Sequence, residues 1–276
     1  MTDDVSTIRT GGVRVPALGF GTFELDPEEV ERTVPVALDV GYRHIDTAQA
    51  YRNEAAVGHA IAGSPVDRDD VFVTTKVWRD RAAPEDVESS TAASLRELDM
   101  DHVDLLLLHW PAEDIAPLEA TLEAMTAARD RGMTEHIGVS NFPSAELARA
   151  FELAPIVTDQ VEHHPYLAVD PIERVLADNG GFLTAYCPIA KGKVAEDATL
   201  DEIGEEHGVG PVQVTLRWLL QRGVAALPRT SKPERVAENA RVHDFALTDD
   251  EMERIAGLAA GERLIDPPFG PEWDAG

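Results

Sequence analysis

The stretch GFGTFE, residues 19–24, decides between two folds. A doubly wound sheet that binds a dinucleotide needs G-x-G-x-x-G at its first strand-to-helix turn, where the third glycine lets helix and strand pack closely. Gly19 and Gly21 supply the first two glycines, and Glu24 stands where the third belongs. The fingerprint fails, and the case for an open dinucleotide-binding sheet fails with it.

The rest of the chain favours a closed sheet. Short apolar, β-branched segments recur at 18–23, 42–46, 71–76, 103–109, 134–140, 156–160, 182–187 and 224–228. Each is followed by a stretch with apolar residues three or four apart. The spacing predicts helices over 28–39, 53–62, 84–98, 117–131, 144–153, 171–178, 210–222 and 233–241. Pro27, Pro84, Pro143, Pro171 and Pro233 mark several of their first turns. Eight β-then-α units predict an α/β chain folded as a (β/α)8 TIM barrel, one domain over residues 1–276. TIRTGGVRVP, residues 7–16, predicts an N-terminal β-hairpin turning at Gly11 and Gly12 and plugging the bottom of the barrel. The proline-rich end from Pro267 predicts a short irregular C-terminal loop.

Composition narrows the function. The net charge of −27, spread along the whole length, argues against nucleic acid or an anionic membrane as partner. Such a surface repels itself at low ionic strength and is relieved where salt screens charge over about 3 Å, near 1 M, so the chain reads as salt-adapted. Only four lysines occur among the 24 basic residues: Lys76, Lys191, Lys193 and Lys232. The start MTDDVSTIRTGG has neither a basic nor an apolar leader region, no run is long enough to span a bilayer, and Cys187 is the single cysteine. These features predict a cytoplasmic monomer without disulfides.

In a barrel, chemistry sits on the rim formed by the C-terminal strand ends. Asp46, Lys76 and His109 end three neighbouring candidate strands, and Tyr51 follows Asp46 by five residues. Singly, Asp46, Tyr51 and His109 have ordinary explanations, as a helix cap, a packing phenol and a core imidazole; Lys76 is harder to dismiss, because it ends an apolar strand in a chain that uses Arg for most of its basic positions. Together they make a proton donor. A phenol ionises near pH 10, and a nearby ammonium is expected to lower that value. Asp46 would hold Lys76 in place, and His109 would orient a reacting oxygen. A lysine on a barrel rim also suits a Schiff-base aldolase. A metal site at Glu162, His163 and His164 is disfavoured, because adjacent strand residues face opposite ways; no metal is expected.

The segments GFGTFELD, HIDTAQAYRNEAAVG, TTKVW, LLLHWP, HIGVSNF, DQVEHHPY, AYCPIA and LPRTSKPERVAENA resemble, in order and over nearly the whole chain, those of the aldo-keto reductases. The likeness is to the microbial branch that includes 2,5-diketo-gluconate reductases. It implies NADPH-dependent reduction of a small carbonyl compound, with Asp46, Tyr51, Lys76 and His109 as the catalytic set. It further implies that Thr22, Asp46, Ser140, Asn141, Gln160 and Tyr186 meet the nicotinamide half of NADPH. Arg229, Thr230, Arg235, Glu238 and Asn239 would meet its adenosine 2′-phosphate and adenine. Independently, Arg229, Lys232 and Arg235 gather positive charge at a predicted helix start, which suits a phosphate. Lys191 and Lys193 would lie near the pyrophosphate.

The substrate pocket implied by the resemblance comprises Phe23, Trp78, His109 and Trp110. The short 111–117 connection predicts that this pocket is open. The family often has Lys at 229, Ser at 230 and 187, and an aromatic residue at 163, where this chain has Arg, Thr, Cys and His. Within the family the fold also serves as a non-catalytic NADPH-binding, redox-sensing subunit, a role the complete catalytic set disfavours.

Overall fold

The computed structural model describes residues 7–10 and 12–274, so the Gly11 half of the expected hairpin turn lies outside the described residues. β1 (Thr7–Thr10) and β2 (Val13–Pro16) pair antiparallel, with Thr10 opposite Val13. Eight parallel strands follow in sequential order: β3 (Phe20–Gly21), β4 (His44–Asp46), β5 (Phe72–Val77), β6 (Val103–Leu108), β7 (Thr134–Ser140), β8 (Ile156–Glu162), β9 (Phe182–Tyr186) and β10 (Ala225–Leu227). The ring closes between the first and last of these. Ala226 N donates to Ala17 O at 2.8 Å, Gly19 N to Ala226 O at 2.9 Å and Gly21 N to Pro228 O at 3.1 Å. The fold is thus the (β/α)8 TIM barrel, and GFGTFE begins on its closing seam.

The strands are apolar because both faces are covered, one by the barrel interior and one by helices. Every residue of β5 is buried. Val13 and Val15 of the hairpin pack with Phe72, Leu105, Leu107, Phe182 and Ala225, which places the plug against the barrel's lower interior.

The outer helices are α1 (Pro27–Asp39), α2 (Glu54–Ala62), α3 (Pro84–Leu98), α4 (Leu118–Asp130), α5 (Ser144–Leu153), α6 (Asp170–Asn179), α7 (Ala198–His207), α8 (Pro211–Gln221), α9 (Pro233–Ala240) and α10 (Asp249–Ala256). α7 and α10 lie outside the eight helices expected from spacing. Both carried readable start signals: the Asp197 carboxylate caps Thr199 N and Leu200 N, and Thr248 with Glu251 forms a capping box. No helix of the described residues is long and apolar enough to cross a membrane.

α2 and α3 meet at Gly58. A Cβ built there would stand 2.1 Å from Leu98 O, so the close approach depends on the missing side chain. Gly58→Ala is expected to destabilise the barrel by about 2 kcal/mol, as overpacking of a core does, readable as a lowered urea midpoint. An unchanged midpoint would show that this helix pair has slack.

Candidate active site

β4 and β5 deliver Asp46 and Lys76 side by side. The Lys76 side chain has no solvent exposure, and its Nζ donates to Asp46 Oδ1 at 2.6 Å and to Thr47 O at 2.8 Å. A buried ammonium needs such partners, because its desolvation is costly. Asp46 Oδ2 accepts from Gln160 Nε2 at 2.8 Å, which ties β8 to the same carboxylate.

Tyr51 ends a 3-10 turn, Gln49–Tyr51, and Arg52 turns the chain back with φ of 57°. This brings the phenol to 3.4 Å from Lys76 Nζ. His109, one residue past β6, meets the Tyr51 ring edge-on at 5.6 Å between centroids. Its Nδ1 is buried without a partner, a state that costs about 1–3 kcal/mol and is seldom left uncompensated without a functional reason.

The electrostatics follow from burial. Desolvation pulls the Lys76 ammonium below its usual range, opposed by Asp46. Desolvation, then Lys76, pulls the His109 imidazole well below its ordinary value, so the ring is neutral at physiological pH. Desolvation, then Asp46 and Tyr186, pushes the Tyr51 phenol well above its ordinary value. The direction is opposite to the lowering expected from Lys76: the ammonium is committed to Asp46 and Thr47, and burial outweighs it. The phenol therefore stays protonated through neutral pH.

Asp46, Tyr51 and His109 line a cavity of about 1080 Å³, with Lys76 behind them. Its wall includes the aromatic residues Phe23, Trp78, Trp110 and Phe269, the polar residues Asn141, Gln160 and Tyr186, and the cations Lys191 and Arg229. Phe269 meets Trp78 at 5.8 Å and Trp110 at 5.5 Å. The C-terminal segment thus roofs the pocket expected to be open beside the short 111–117 connection.

An Aldo/keto reductase family model matches residues 17–260. The chain belongs to the aldo/keto reductase family. It is therefore an oxidoreductase, and enzymes of this family use NAD(P)H. It is 42% identical to an aldo-keto reductase of Mycobacterium avium (strain 104), over 93% of this chain and 90% of that one. It is 38% identical to the methylglyoxal reductase DkgB of Salmonella typhi, over 94% and 99%. A crystal structure assigned as a 2,5-diketo-D-gluconic acid reductase B superposes with a TM-score of 0.95 at 45% identity, covering 98% and 99%. The likeness to the microbial branch holds.

The other expected site residues of this aldo/keto reductase separate into those at the cavity and those away from it. Asn141, at φ of 66°, donates through Nδ2 to His109 O and Ser140 Oγ, and its Oδ1 accepts from the Tyr186 hydroxyl at 2.7 Å. Ser140 stands behind it, donating to Gln160 O. Thr22 is not at the cavity. It is fully buried, and both its N and its Oγ1 donate to Asp46 O, so it braces β4.

Arg229 pairs with Glu24, and both line the cavity. Thr230 Oγ1 accepts from Lys232 N, Asn239 is buried on α9, and Arg235 and Glu238 are exposed on that helix, away from the cavity lining. Lys191 lines the cavity, whereas Lys193 pairs with Glu262 over the Tyr166 ring. His163 is a core histidine: its Nδ1 lies 2.8 Å from Leu167 O, and burial, helped by Arg222, pulls its imidazole down to about 3.

The sequence reading missed Ile265, Pro267 and Phe269 as wall residues. Their only signal was apolar side chains among the prolines of a tail taken for a plain loop. One titration checks the electrostatics. NMR of the imidazole nitrogens is expected to show His109 neutral at pH 6; a His109 midpoint near 6.5 would contradict the burial and the Lys76 proximity described here.

Proposed function

We propose that this enzyme reduces aldehydes and ketones to alcohols with NADPH, reversibly, in the cytoplasm, as a monomer made of one barrel domain. The observation that carries the proposal is a protonated phenol 3.4 Å from a buried ammonium, beside a neutral imidazole, on the floor of an apolar-walled cavity. A carbonyl carbon must gain hydride while its oxygen gains a proton. When bound, NADPH supplies the hydride.

The chain's own residues do the rest. Tyr51 donates its proton to the carbonyl oxygen, and Lys76 stabilises the phenolate left behind, held in place by Asp46. His109, neutral and with ring capacity unspent on the fold, hydrogen-bonds the same oxygen and fixes its approach. Phe23, Trp78 and Trp110 exclude water from the reacting carbon. The cavity's donor set fits the cofactor. Tyr186 offers a ring face to the nicotinamide, and Asn141 and Gln160, backed by Ser140, offer amides to its carboxamide. Lys191 is at hand for the pyrophosphate. Arg229 exchanges Glu24 for the 2′-phosphate at the start of α9, with Arg235, Thr230, Glu238 and Asn239 completing that end. Relatives named for methylglyoxal and for 2,5-diketo-D-gluconic acid support a small, polar carbonyl substrate.

A lysine of lowered pKa also suits a Schiff-base aldolase. The Lys76 ammonium, however, has no exposure and is spent on Asp46 and Thr47. Borohydride with a carbonyl compound and no NADPH is therefore expected to leave Lys76 unlabelled.

In molar salt, consumption of NADPH against a carbonyl panel is expected, with Tyr51→Phe losing about 10²–10⁴-fold in kcat, the range of a positioned general acid. Equal activity of wild type and Tyr51→Phe would overturn the assignment. Arg235→Ala is expected to raise KM for NADPH about tenfold or more, the cost of a lost charged hydrogen bond, and to leave KM for NADH unmoved. Equal shifts for both cofactors would remove the 2′-phosphate role.

A further inference from the structure

Glu162, the last residue of β8, has no part in the reaction proposed above, yet its side chain has no solvent exposure. Oε1 accepts from Leu264 N at 2.7 Å and from His164 Nε2 at 3.0 Å. Oε2 accepts from Ile265 N at 2.9 Å, and the Arg263 guanidinium stands 3.8 Å away. Two consecutive backbone N–H groups of the C-terminal segment thus end on one buried carboxylate from the barrel rim.

That segment is part of the cavity wall. Ile265, Pro267 and Phe269 line it. Arg263 lies 3.5 Å over the Trp273 ring, Trp273 meets Trp110 at 6.4 Å, and Asp274 takes both the N and the Oγ of Ser144. On the other side Lys191 Nζ donates to Leu264 O at 3.3 Å, and Lys193 pairs with Glu262. Regular structure does not hold the segment. Among the described residues from 260 onward, the backbone–backbone bonds outside regular elements are those of Ala260 N and Glu262 N to Tyr166 O and of Gly270 N to Pro267 O. Charge-assisted bonds to a buried carboxylate are about twice as strong as neutral ones, and leaving that carboxylate unpaired is costly, so the segment has one strongly preferred seat.

We propose that Glu162 is a positioning residue that clasps the C-terminal segment at Leu264 and Ile265, and so sets the size of carbonyl substrate the aromatic pocket accepts. The substrate half of this rests on the reading of the cavity as a carbonyl site; the clasp itself does not. Because Ile265, one of the two clasped residues, is itself a wall residue and leads directly to Pro267 and Phe269, loosening the clasp moves the substrate wall while Asp46, Lys76, Tyr51 and His109 keep their places on the rim.

Two variants approach the clasp from opposite sides. Glu162→Gln removes the charge. Leu264→Pro removes one donor without touching the barrel, and so remains informative if the first fails to fold. Asp266→Pro, at an exposed position that does not bond Glu162, is the matched control.

Both variants, but not the control, are expected to be cut by chymotrypsin after Phe269 about tenfold faster than wild type, the population change that follows from losing one charged hydrogen bond. Tryptophan emission should shift to the red as Trp110 and Trp273 lose their partners. KM for a naphthaldehyde should rise about tenfold, while kcat for methylglyoxal stays within about threefold, because only the wall and not the proton donor has moved. Unchanged cleavage and emission in both variants would overturn the clasp. Equal losses on both substrates with a lowered melting temperature would reduce Glu162 to a member of the fold. A wild type that reduces neither compound would sink the carbonyl reading alone, since cleavage and emission still report on the clasp.

Discussion

The contact on which the site depends is the ion pair between Lys76 and Asp46, sealed inside the rim of the barrel. Removing one partner of a buried pair costs about 3–5 kcal/mol, because the survivor is left charged in a poor solvent. The pair is also the junction of a wider network. Asp46 takes Gln160 on its second oxygen, Lys76 takes Thr47 O, and Thr22 braces the Asp46 backbone. Strands β4, β5 and β8 are thereby locked in register where Tyr51 and His109 converge. Barrel closure delivers these groups to one rim, and the pair keeps them there.

Burial sets the protonation states as much as charge does. The phenol is held protonated and the imidazole neutral, so in the resting protein two neutral groups face the cavity, with the ammonium behind them. A proton donor in this state loses nothing across neutral pH, and the ammonium's influence is felt when negative charge develops on the phenol oxygen. The rest of the molecule is strongly acidic, yet Lys191 and Arg229 line the same cavity. Positive potential is concentrated where an anionic cofactor would lie, and the acidic remainder discourages other anions.

Much of this was legible in the sequence. Strands covered on both faces read as unbroken apolar runs, so β5 through β9 stood out, and the polar residues closing β4 and β5 and following β6 were conspicuous against them. Thr22 shows where such reading stops. Its neighbours Gly21 and Phe23 line the cavity, while Thr22, just past β3, turns away to bond Asp46 O, a contact set by the pairing of β3 with β4. The Tyr51 pKa was misjudged because the lysine's charge is visible in a sequence and desolvation is not. The C-terminal roof was invisible for a different reason: its anchor, Glu162, lies 102 residues before Leu264, and the bonds run to backbone N–H groups that every residue except proline carries.

The most direct measurement is a double-mutant cycle on kcat/KM with Lys76→Met and Tyr51→Phe. If Lys76 acts through the Tyr51 oxygen, the double variant should be about as impaired as Tyr51→Phe alone, with strongly non-additive losses. Losses that multiply independently would mean that the buried ammonium and the phenol do not work as one proton-donating unit.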